Sequence, residues 1–124
     1  MKKGHEFHIF LIICFLTLFI PGCVILRPPK LTTTPVTDIG PASAIGGGDV
    51  TSDGNEDIFV RGVCWSTKKM PDIKDTRTTD GYGEGVFISN ITELKPNTLY
   101  YVRAYASNGE GTSYGNQVTF TTSQ

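Results

Sequence analysis

Leu94-Lys95-Pro96-Asn97-Thr98-Leu99-Tyr100-Tyr101-Val102-Arg103-Ala104-Tyr105-Ala106-Ser107 contains the clearest alternation in the chain. From Thr98 onward one set of positions carries Tyr100, Val102, Ala104 and Ala106, and the other Tyr101, Arg103, Tyr105 and Ser107. A period of two is the mark of a strand with one face on a core. The first set is the natural core face. The second is amphipathic, with Arg103 placed to stack on the two tyrosines beside it, and it is the candidate binding face of the molecule. Asn108-Gly109-Glu110-Gly111 then supplies a hairpin loop into a further strand-like run, Tyr114 to Thr122.

Upstream of this segment the pattern repeats. Leu31 to Val36 is rich in Thr and β-branched residues, and Pro35 inside it suits an edge strand. Ala42 to Thr51 is a second run, interrupted by Gly46, Gly47 and Gly48, which suggest a bulge or a close backbone approach. Asp53-Gly54-Asn55 marks a turn before Ile58 to Ser66. Both alternating sets of that run contain apolar residues, so the period does not decide whether Cys64 or Trp65 points inward. Lys68 to Asp75, with Pro71, reads as an irregular crossover, and Asp80-Gly81 as a turn leading into Val86 to Ile91. Nothing beyond residue 30 keeps a helical period. The expectation is all-β, about seven strands in an antiparallel sandwich.

The bulk numbers exclude more than they assert. The chain has 124 residues, 19% of them charged, with a formal net charge of −1, so it has no basic field to recruit nucleic acid. At the N-terminus Lys2 and Lys3 precede an apolar run from Phe7 to Ile20 that ends at Pro21-Gly22-Cys23. As a helix that run rises ~21 Å, short of a ~30 Å hydrocarbon core, so it reads as an export signal rather than a permanent span. Cys14 lies inside this segment. With Cys23 at its end, only Cys64 remains for the mature domain, which therefore has no internal disulfide.

Two resemblances carry the reading further. Ile20-Pro21-Gly22-Cys23 resembles a bacterial lipobox, although Pro21 stands where small or β-branched residues are usual. By that likeness Cys23 is the lipidation site, which would give residues 1–22 as a lipoprotein-type signal peptide and 23–30 as a lipid-anchored spacer stiffened by Pro28 and Pro29. An uncleaved anchor and simple secretion are the competing outcomes. Leu94-Lys95-Pro96-Asn97-Thr98-Leu99-Tyr100 resembles the L-x-P-x-T-x-Y corner of fibronectin type III domains. The resemblance implies that Tyr100 is a corner tyrosine bonded back to the backbone, Leu94 a core plug and Pro96 the turn-setter. Arg61 to Ser66 and Gly111 to Gly115 are similar to the C strand and F–G hairpin of such modules in Gram-negative surface lipoproteins. The domain expected is residues 31–123, an immunoglobulin-like sandwich. The tryptophan typical of animal members is missing near Ser43 to Asp49.

Candidate chemistry is sparse. Asp53-Gly54-Asn55-Glu56-Asp57 gathers oxygen donors, but counting from Asp53 the twelfth position of a calcium loop falls on Cys64, so a solvated turn is expected. Gly81 to Gly85 precedes a strand rather than a helix, which argues against a phosphate cradle. Both histidines, His5 and His8, lie in the targeting segment. Asp72, Asp75, Asp80 and Glu84 are expected on solvated loops rather than in a catalytic pair. No catalytic residue, cofactor or metal is expected. The function expected is a non-catalytic, membrane-anchored lipoprotein carrying one binding or spacer module. The alternative is an accessory subunit or fragment of a larger envelope assembly or carbohydrate-processing system. Its partners would be the membrane, through the N-terminal lipid, and a protein or glycan. The expected address is the cell envelope, at the outer membrane. Val24, Ile25, Leu26 and Arg27 stand where an acidic export mark would lie, so the facing side stays open.

Overall fold

In the computed structural model, which describes residues 24–124, the alternating segments become eight antiparallel strands. They are β1 (Lys30–Thr33), β2 (Ala44–Ser52), β3 (Val60–Ser66), β4 (Thr76–Arg77), β5 (Gly85–Ile91), β6 (Leu99–Asn108), β7 (Gly111–Tyr114) and β8 (Val118–Thr121). The apolar N-terminal run and Cys23 lie outside the described residues. One sheet has the order β1-β2-β5, and the other β4-β3-β6-β7, with β8 also paired to β6.

The expected strand Tyr114 to Thr122 is thus two strands that continue along one neighbour. β7 pairs Tyr105 to Asn108 and β8 pairs Leu99 to Val102. Between them the ladder breaks, and the Asn116 side chain instead accepts the Thr33 N–H at 2.9 Å, drawing β1 toward the second sheet. β1 itself stops short of Pro35, which has no N–H for the ladder. Pairing resumes only as a single bridge, where Thr37 and Ile45 exchange backbone hydrogen bonds of 2.8 and 2.9 Å.

The core lies between the sheets. Val63 and Trp65 of β3, with Tyr100, Val102, Ala104 and Ala106 of β6, face Ala44 and Val50 of β2 and Phe87 and Ile91 of β5. Tyr100 stacks on Phe120 with ring centroids 5.6 Å apart. Gly48 lets β2 lie close against β6: a Cβ there would come within 2.7 Å of the Ala104 methyl across the layers and 2.8 Å of the Thr32 carbonyl in the neighbouring strand. Period alone left Cys64 and Trp65 undecided, and both are buried. Trp65 joins the core, whereas Cys64 lies on the opposite face of β3, beneath a cover that follows from the crossover.

That cover comes from Lys68 to Asp75 and the residues after it. β4 pairs with Cys64 and Trp65, and beyond it the Thr78 and Asp80 N–H groups donate to the Val63 and Arg61 carbonyls at 2.9 and 2.7 Å. Asp80 then bridges the layers, its Oδ2 accepting from the Thr78 and Ser89 hydroxyls, each at 2.6 Å. Ser89 is buried on β5 of the other sheet, so this carboxylate zips one open side of the sandwich.

Candidate binding face

Tyr101, Arg103 and Tyr105 share the outer face of β6, as their alternation requires, but they do not form one open surface. Tyr101 and Arg103 are half-buried, while Tyr105 is 1% exposed. Its hydroxyl donates to the Thr78 carbonyl at 2.5 Å. Burial pushes its pKa up, against a smaller opposing pull from Arg77. Tyr105 is therefore removed from the candidate face. Opposite it stands Gly62, whose missing side chain leaves room for the Thr78 backbone. A strand face reads as open when its cover is distant in sequence, and this cover is 27 residues away.

Arg103 stacks, but on a third ring rather than on the two tyrosines beside it in sequence. Its guanidinium carbon sits 4.2 Å from the Tyr114 ring centroid, and its Nε donates to the Pro71 carbonyl at 2.8 Å. The Ile73 N–H donates to the Tyr114 hydroxyl at 3.0 Å. Arg103 and Tyr114 together hold the crossover down, so the same contact that shapes the face also fixes the segment beside it. Tyr114 is the residue that alternation within a single strand could not supply, because β7 brings it in from the next hairpin arm. Above this cluster a groove of about 470 Å³ runs between the crossover and the β6–β7 hairpin, with Phe59, Ile73, Arg77 and Thr112 among its walls.

Cys64, under the same cover, donates its thiol to the Arg103 carbonyl at 3.4 Å. Burial pushes the thiol pKa from its ordinary 9.0 up to about 11; Arg103 opposes the rise, and Asp75 and Asp72 add to it. A thiol so placed is a poor nucleophile near neutral pH.

At the far end of β6, Leu94 is buried in the core and Pro96 lies exposed in the turn. The Lys95 N–H donates to the Tyr100 hydroxyl at 2.9 Å, so the ring ties down the backbone five residues upstream. Thr122 completes the corner: its hydroxyl accepts the Thr98 N–H at 2.8 Å and donates to the Lys95 carbonyl at 2.6 Å. A threonine just past the last strand carries no signal of that role in sequence.

The acidic turn is organised by its own backbone. Asp53 Oδ1 accepts the Asn55 N–H at 2.9 Å, and the Asp53 N–H donates to Glu84 at 2.8 Å. Among the described residues no three His, Cys, Asp or Glu side chains are grouped to hold a metal ion. Asn108, buried at the hairpin, gathers this end of the molecule. Its Nδ2 donates to the Arg27 and Asp53 carbonyls at 2.7 and 2.8 Å, and its Oδ1 accepts the Glu110 N–H at 2.8 Å. Pro29 is buried and the Arg27 N–H donates to Gly54 at 2.9 Å, so part of the 23–30 spacer segment is bonded onto the body.

Searches against protein-family profiles and curated proteins find no match. Solved structures do match. The sensor domain of the anti-sigma factor RsgI4 from Pseudobacteroides cellulosolvens aligns with a TM-score of 0.55 at 16% identity, covering 78% of this chain and 96% of that one. A computationally redesigned β-sandwich protein aligns at 0.54 with 29% identity, over 81% and 98% of the two chains. The third fibronectin III domain of the human KIAA0343 protein aligns at 0.55 with 14% identity, over 82% and 85%. Strand order, register and these likenesses agree on one architecture: the chain folds as a fibronectin type III-like antiparallel β-sandwich.

Proposed function

We propose that this chain is a membrane-anchored lipoprotein of the cell envelope whose folded part is a non-catalytic binding or spacer module. What supports a non-catalytic role is that several of the groups able to do chemistry are already committed to the fold. The Cys64 thiol is buried and raised to about 11. The Tyr100 and Tyr105 hydroxyls hold backbone groups, and Asp80 is shared between two hydroxyls. Contacts with a protein or glycan partner come from the half-exposed Tyr101 and Arg103 beside Tyr114, since aromatic and guanidinium groups on a rigid sheet are typical recognition elements. Anchoring rests on the apolar run that ends at Cys23.

Two experiments test the two halves. Cys23→Ala should leave the membrane fraction and lose fatty-acid labelling; retention in that fraction would favour an uncleaved anchor. A glycan array and an envelope-protein pull-down with the soluble residues 24–124 should each be repeated with Tyr101→Ala. The binding role requires a captured partner that this change weakens, and equal capture by both proteins would move the contact elsewhere.

A further inference from the structure

Both ends of the sandwich expose apolar side chains, a larger set at one and Ile39 and Leu99 at the other. At one end residues 24–28 run against the 52–57 turn, held by Arg27 to Gly54 and by Asn108 to Arg27. The Asn55 side chain also donates to the Ile25 carbonyl at 3.1 Å. The same end gathers the 81–85 loop, through Gly83 to Ile58 at 3.1 Å and Asp53 to Glu84 at 2.8 Å. Phe59 joins it where its N–H donates to the Ser107 carbonyl at 3.1 Å. Here Phe59 is 66% and Tyr82 77% exposed, and Val24, Ile25 and Leu26 are exposed as well. The opposite end is built from the Leu94–Tyr100 corner, the Gly40 turn and the C-terminus, joined by Ser123 to Gly40 and Asn97 to Ser123.

Only Val24, Ile25 and Leu26 separate Cys23 from the pinned Arg27. Four extended residues span at most ~14 Å. We propose that the pole carrying Val24, Ile25, Leu26, Phe59 and Tyr82 rests on the bilayer surface and seats these side chains at the interface; this rests on the membrane attachment proposed above. The length of the tether leaves the pole no room to turn away. The ten-residue β6 carries the opposite pole ~30 Å farther out. Tyr82 suits the headgroup level, where an apolar ring body and a polar tip are both accommodated, and Phe59 and the three aliphatic residues add apolar surface beside it.

Charge selects the lipid. Asp53, Glu56, Asp57, Glu84 and Glu110 belong to this pole, against Arg27, Lys30 and Arg61, the last held in place by the Asp80, Gly83 and Glu84 carbonyls. A net negative pole is repelled by anionic headgroups, so the surface it fits is zwitterionic phospholipid. The loops at this pole are then turned away from soluble partners, which leaves the Tyr101 and Arg103 face and the far pole for recognition.

The test uses the full chain with its own attachment, reconstituted in phosphatidylcholine vesicles, with benzoylphenylalanine replacing Phe59, Tyr82 or, at the opposite pole, the exposed Leu99. Photolysis should give lipid adducts at positions 59 and 82 and none at 99. Protein that stays with the vesicles yet crosslinks no more at 59 and 82 than at 99 overturns the orientation alone. Protein that leaves the vesicles overturns the attachment, and the orientation with it. Replacing half the phosphatidylcholine with phosphatidylglycerol should cut the adducts at 59 and 82 severalfold; an increase would overturn the lipid preference.

Discussion

Tyr100 illustrates how much one hydroxyl can organise. Its ring belongs to the core, stacked on Phe120, while its oxygen accepts the Lys95 N–H of the corner. Tyr100→Phe keeps the ring and deletes the acceptor, so the loss should be that of one partly buried hydrogen bond, about 1 kcal/mol. An unchanged urea midpoint would mean the corner holds without it. Cys64 makes the complementary case, a group held neutral. With its folded pKa at about 11 against an ordinary 9.0, the unfolded chain gives up the thiol proton first as pH rises. The stability this thiol contributes is complete below pH 9 and drains away toward 11. Tyr105, also raised by burial, acts in the same direction above its ordinary 10.0. Denaturation midpoints should therefore fall above about pH 9, and Cys64→Ala should flatten that fall. An equal slope in the variant would show that Cys64 does not drive it.

At the scale of elements, strand alternation and the Leu94–Tyr100 motif together were enough to place β6, its core face and its corner, because both signals are local. What sequence could not show was contributed by residues far apart in the chain. Tyr105 sits on the alternation's outer face and is buried only because the segment around Thr78 returns to cover it. β4 is two residues long, too short for any period. Asp80 read as a solvated loop carboxylate, and its bridging role depends on Ser89 arriving from the other sheet. That bridge makes a definite prediction about coupling. Asp80→Ala leaves the buried Ser89 hydroxyl only its longer 3.3 Å contact with the Thr78 hydroxyl and should cost on the order of 1–3 kcal/mol, whereas Ser89→Ala leaves Asp80 its 2.6 Å Thr78 partner and should cost less. The double variant should lose less than the sum of the two, since both act on one network. Strict additivity by urea denaturation would show that the two groups act separately.

For the whole molecule the decisive contact is the one between the body and the residues that lead in from Cys23. Asn108 reads in sequence as an ordinary hairpin polar residue, yet it is buried and satisfies two carbonyls, of Arg27 and Asp53, from two other segments. Asn108→Ala leaves both carbonyls and the Glu110 N–H without that partner, a loss on the order of 2 kcal/mol if water does not replace it. The loss should be uneven. The Arg27 amide is held to Gly54 in the same cluster, so its hydrogen exchange should accelerate strongly in the variant. The Val102 and Ala104 amides, in the central strand β6, should accelerate only by the global loss of stability. If Arg27 exchanged as slowly as in the parent protein, the 24–28 segment would be fixed by other contacts. If it were freed, the pole would gain slack on its tether, and the lipid adducts at position 82 should fall while those at 99 stay absent. The buried amide of one hairpin residue would then set how the whole sandwich stands on the membrane.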